Sequence, residues 1–154
     1  MQPLTHPTKN RFIEEIVDMS VESNKELVRK FYAAIQREDY AAAASFCHED
    51  FVFYTQVDTP ILGSAGFVQS EKKNFDAFEG FSFTIEALFA EGDQVAAYML
   101  FDGRQTGVFD GVEPKGTRVR FSLMMLLKIS DGKIIEKRAH FDRMDIRKQL
   151  SATA

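Results

Sequence analysis

Arg138, His140 and Asp142 stand at alternate positions near the end of the chain. In an extended segment such spacing brings a guanidinium, an imidazole and a carboxylate to one face. A carboxylate in that company can take a proton from carbon beside a carbonyl, the imidazole can relay it, and the guanidinium can orient an enolate or a substrate carboxylate. The local sequence predicts the extended segment. Asp131-Gly132 supplies the positive φ angles of a type I′ turn, with apolar alternation on either side, so two antiparallel strands meet there. A two-residue loop sets Ser130 opposite Lys133, Met125 opposite Arg138, Leu123 opposite His140 and Phe121 opposite Asp142. Opposed residues share a face, which places the three ionisable groups on the apolar side with Phe121, Leu123 and Met125. A slip of one residue would turn all three away.

The elements that must position this wall follow from periodicity. Residues 1–19 are expected to form an appendage with a short amphipathic helix from Arg11 to Met19, and residues 20–150 the domain proper. Ser23 is a plausible N-cap for a helix whose stripe is Leu27, Val28, Phe31, Tyr32 and Ile35. Asp39 starts a second short helix, Phe51 to Val57 alternates as a strand, and Pro60 and Gly63 mark a loop. Ser64 is expected to cap a helix carrying Phe67, Val68, Phe75 and Phe78. From Phe81 onward the chain is strand: Phe81 to Phe89, Val95 to Phe101, Thr117 to Ile129 and Lys133 to Asp142. Helices first and long strands afterwards predict an α+β cone, a curved antiparallel sheet wrapped around the N-terminal helices with an internal pocket. The Arg118 to Lys128 strand is apolar on both faces. Its outer face, with Met124 and Leu126, calls for a cover, and a second copy of the chain is the economical one.

Composition bounds the partners. With 154 residues, 45% of them hydrophobic and 27% charged, the chain has the makings of one domain with its own core. A net charge of -4 and scattered basic residues argue against nucleic acid. The lone Cys47 excludes an internal disulfide and suits a reducing, cytoplasmic setting. No apolar run is long enough for a membrane helix. His6, His48 and His140 are too dispersed to imply a metal site. The 15 phenylalanines are mostly core, with some expected to line a cavity for a flat apolar ligand.

Four stretches, taken in order, resemble the SnoaL-like polyketide cyclases of the NTF2-like superfamily. They are Asn24 to Tyr32, Gly103 to Gly111, Asp131 to Glu136, and Asp142 followed by Gln149-Leu150. The resemblance implies the cone already inferred. It also implies intramolecular aldol ring closure by one carboxylate at the end of the last strand, with no metal or organic cofactor. Asp142 matches that carboxylate, with His140 as its helper. Arg138, Gln105, Tyr54, Tyr32 and Phe121 are then expected to bind the substrate, an apolar polyketide-like ester or ketone. The family usually carries His at the positions of Gln105 and Tyr54 and Trp at that of Arg138, so the pocket is rebuilt. An epoxide hydrolase or isomerase on the same fold, or a small-molecule carrier without catalysis, would fit the same pattern. Against the catalytic role of Asp142 stands a plainer one, that of N-cap for a helix starting near Arg143.

Overall fold

Nothing in the sequence from Lys9 to Gln36 breaks a helix, and in the computed structural model, which describes residues 9–152, α1 runs unbroken over Lys9–Gln36. The expected break at Ser23 is absent because no glycine or proline interrupts the segment. Its two halves differ. Residues 9–20 are exposed throughout, with Phe12, Ile13, Ile16 and Val17 uncovered, whereas Val28, Phe31, Tyr32 and Ile35 are buried. The short helix α2 (Tyr40–Ser45) is capped by Asp39, whose side chain accepts from Ala42 N.

The remaining elements are β1 (Cys47–Gln56), β2 (Thr59–Leu62), α3 (Gly63–Phe75), β3 (Phe78–Glu91), β4 (Gln94–Gln105), β5 (Arg118–Ser130), β6 (Lys133–His140) and α4 (Arg143–Ser151). The expected loop around Pro60 is a short edge strand, where a missing N–H is tolerated. Ser64 lies inside α3, whose N-cap position is Leu62, and Phe78 opens β3. One sheet orders the strands β2-β1-β6-β5-β4-β3. All neighbours are antiparallel except β1 and β6, so the sheet is mixed, because the chain passes through α3 and four strands before β6 returns beside β1.

This is an α+β fold in which one six-stranded sheet packs against the helices. The helix α1 packs on β3 and β4, and α3 on β1. Gln36 ties α1 to the sheet, donating to the Phe81 carbonyl at 3.0 Å and accepting from Phe83 N at 2.5 Å. Phe67 of α3 is the hub of the apolar seam, with ring centroids 5.7 Å from Phe31, 5.4 Å from Phe51 and 5.3 Å from Phe53. Such offset and edge-on pairs add to the gain from burial.

The β5–β6 hairpin turns where the sequence predicts, with Asp131 at φ 51°, Gly132 at φ 70° and Ser130 opposite Lys133. Three residues later the register departs. Ile129 pairs with Ile134, but Lys128 pairs with Glu136, which leaves Ile135 as the extra residue of a β-bulge. A bulge reverses the facing of everything beyond it. Met124 therefore faces His140 and Leu126 faces Arg138, while Lys137 and Ala139 turn inward. The expected inward projection of Arg138, His140 and Asp142 is thus corrected. Another irregularity, between Ile85 and Ala87, similarly turns Phe89 to solvent.

Candidate functional site

The side chains that the bulge turns inward meet a helix stripe. Phe67, Glu71 and Phe75 recur every fourth residue on α3, so they share one face of it, and Phe67 and Phe75 are buried. Between α3, the inner sheet face and α4 lies a cavity of about 220 Å³ with eight phenylalanines in its wall, among them Phe53, Phe83, Phe101 and Phe121. Phe75, Phe81 and Phe101 stack nearly parallel, with centroids 4.5 to 6.0 Å apart. A cavity walled by such rings suits a flat, apolar molecule.

Two charged groups interrupt that wall from within, Glu71 and Lys137. Lys137 is 1% exposed, and its Nζ lies 4.2 Å from the centre of the Phe53 ring and 5.1 Å from that of Phe67. Burial pushes its pKa down, against the opposing pull of Glu71 and Cys47. Burial likewise pushes the carboxyl of Glu71 up, with Lys137 opposing. Both shifts favour the neutral forms, so the pair can carry one proton between a carboxyl and an amine. The phenol of Tyr32 is raised well above its usual value, first by burial and then by the charges of Glu71 and Cys47. The thiol of Cys47 is pushed up to about 12 by its burial, which leaves it a poor nucleophile.

The rim is wet and basic. Lys73, Asn74 and Arg143 are exposed and belong to the cavity wall, and Arg143 lies over the Phe141 ring at 5.6 Å. The helix α4 closes this end. Asp142 fixes its start, with Oδ1 accepting from Met144 N at 2.9 Å and Asp145 N at 3.0 Å, while Gln149 exchanges two hydrogen bonds with the backbone of Arg120, each 2.9 Å.

Of the residues singled out from sequence, Phe121 alone lines the main cavity, stacked on Phe101 at 5.0 Å. Asp142 is exposed and lines a separate shallow groove with Tyr98, Met124 and His140. Arg138 sits on the outer face, its guanidinium 4.0 Å above the Tyr54 ring and its Nε 2.8 Å from Glu136 Oε1. Gln105 is fully buried, donating to the carbonyls of Gly107 at 3.0 Å and Val112 at 2.8 Å. It thereby fastens the loop that presents Phe109 to the cavity. Tyr32 packs against Phe31 and Phe83 in the core, and its buried hydroxyl has no hydrogen-bond partner among the described residues. Sequence reasoning passed over Glu71 and Lys137. An acid midway between Phe67 and Phe75 on one helix face was a legible signal, whereas Lys137 depended on the bulge.

Residues 25–150 match the model of the SnoaL-like polyketide cyclases. The sequence found no match among curated proteins. Solved structures of the same shape include TsrD from Streptomyces laurentii, 26% identical, with a TM-score of 0.76 over 86% of this chain and 97% of that one. A candidate SnoaL-like polyketide cyclase from Jannaschia is 22% identical, with a TM-score of 0.81 over 87% and 95%. An LEH-like epoxide hydrolase from M. tuberculosis is 21% identical, with a TM-score of 0.67 over 85% and 91%. The matched sequence takes in nearly all of the cone and both walls of its cavity, and on that footing the chain belongs to the SnoaL-like polyketide cyclase family.

Proposed function

We propose that the protein closes a ring in an apolar, polyketide-like ketone or ester by an intramolecular aldol-type reaction, working inside the aromatic cavity without a metal or organic cofactor. The observation that carries this reading is Glu71, a carboxyl with a raised pKa on an apolar helix stripe that opens into a wall of phenylalanines. Its ionised form takes a proton from carbon beside a carbonyl. The nucleophilic carbon then attacks a second carbonyl of the same molecule, and Glu71 returns the proton to the new alkoxide. The stacked rings hold the two carbons near each other, which supplies much of the acceleration. Asp142 supports the site from outside by fixing α4 and with it Phe141, Arg143 and Ile146 at the rim.

A second copy of the chain is the proposed partner. On the outer sheet face Tyr98, Met124 and Leu126 remain 37%, 44% and 37% exposed, beside the Arg138–Tyr54 stack. Such half-covered apolar side chains become buried when two sheets pack.

A simple ketone tests the chemistry before any natural substrate is known. With 1-tetralone in heavy water, the protein should speed the loss of the α-protons, followed by NMR, roughly a hundredfold over an equal concentration of acetate. Tetralone that binds, as shown by saturation transfer, yet exchanges no faster than with acetate would overturn the proposal.

A further inference from the structure

We propose that Lys137 is a nucleophilic amine, which condenses with a ketone or aldehyde in the cavity and holds it as an iminium that Glu71 converts to an enamine. The inference rests on the reading of the cavity as a carbonyl site and changes how the carbon is activated there.

Two observations and one chemical rule converge on it. The Ile135 bulge turns a lysine into the cavity wall, among rings rather than water. Among the described residues no ion pair within 4.0 Å joins it to Glu71, so the pair stops short of a closed salt bridge and leaves its amine available to the cavity. A lysine held in apolar surroundings loses its proton readily, and the free amine is the form that attacks carbonyls. The chemistry also needs help beyond a carboxylate. A carboxylate is a weak base for the α-carbon of a plain ketone, whereas the α-carbon of an iminium is far more acidic.

The steps balance with the one proton that the pair shares. The lone pair of Lys137 Nζ forms a bond to the carbonyl carbon, and a proton passes by way of Glu71 from nitrogen to oxygen, giving a carbinolamine. The carboxyl of Glu71 then protonates the hydroxyl. Water leaves as nitrogen's electron pair forms the iminium, and Glu71 is left as carboxylate. It removes the α-proton to give the enamine, whose carbon bonds to the second carbonyl carbon while that oxygen takes the proton from Glu71. Water adds to the remaining iminium, and collapse of the adduct releases the cyclised ketone and the free amine. Nothing is oxidised or reduced, and the water lost is the water regained.

The test uses the full chain and 2,4-pentanedione, which forms a stable enaminone with a lysine amine on loss of one water. Near-ultraviolet absorbance follows the reaction, and peptide mass spectrometry locates it. Saturation-transfer NMR with 1-tetralone reports separately on whether the cavity binds. The expected result is one adduct per chain, on Lys137, formed faster at neutral pH than on any surface lysine and roughly tenfold more slowly in Glu71→Gln. Mapping on the unaltered protein decides the matter even if Lys137→Met fails to fold. Label spread over surface lysines with Lys137 untouched would overturn the proposal. Tetralone bound without any adduct would remove the amine mechanism and leave the cavity reading standing, and absence of both would remove the two together.

Discussion

Asp142 and Glu71 are both carboxylates, and their surroundings give them different work. Asp142 accepts two backbone N–H groups at the start of α4, so Asp142→Ala should cost about 1 kcal/mol of stability and Asp142→Asn close to none, as thermal unfolding of the two variants will show. Glu71 is held by burial above its ordinary value of 4.5, so the folded protein binds a proton that the unfolded chain has released. Stability gained from that proton is complete below about pH 4.5 and is lost as pH rises through the raised folded value. Lys137 has the opposite slope. Its folded value lies below the ordinary 10.5, so stability is recovered as pH climbs from that folded value toward 10.5. The difference in unfolding free energy between wild type and Glu71→Gln should therefore shrink as pH rises from about 4.5 through the raised folded value, as the wild type loses what the variant never had. A pH-independent difference would show that Glu71 titrates normally.

At the scale of elements the decisive feature is one extra residue in β6. Deleting Ile135 removes the bulge but keeps the pairs Lys128–Glu136, Leu127–Lys137 and Leu126–Arg138, so Lys137 stays inward and Arg138 outward. We expect the deletion variant to keep a cooperative thermal transition, because no charged group changes sides of the sheet. A deletion variant that fails to fold would mean that the bulge itself, beyond the facing it sets, is needed. The turn at Asp131-Gly132, the stripe of α1 from Leu27 to Ile35 and the long strands were legible because each is written in a local period or a turn preference. The site was less so. Alternation from a correct turn predicts facing only while the ladder stays regular, and nothing in Lys133-Ile134-Ile135-Glu136 announces where the extra residue falls. Hence Asp142 and Arg138 were expected on the wall that Lys137 and Ala139 occupy. Phe121 escaped the error because it precedes the bulge's partner on β5, whose own alternation is unbroken.

For the whole molecule, the account predicts a dimer through the outer sheet face and a first half of α1 that the domain does not need. Met124→Glu with Leu126→Glu should give monomers in sedimentation at micromolar concentration with the fold retained, and a chain starting at Met19 should unfold at the same temperature as the full one. Residues 9–20 lie exposed along α1, which is why their loss should be silent. Dimers that persist in the double variant, or a truncated chain that fails to fold, would correct each point. The central claim is that proton transfer takes place in the aromatic cavity at Glu71 rather than at the mouth of α4. The most direct measurement is α-proton exchange of 1-tetralone in heavy water with wild type, Glu71→Gln and Asp142→Asn side by side. A loss of roughly a hundredfold or more is expected in Glu71→Gln, and a rate within about threefold of wild type in Asp142→Asn. Exchange abolished by Asp142→Asn and untouched by Glu71→Gln would contradict it.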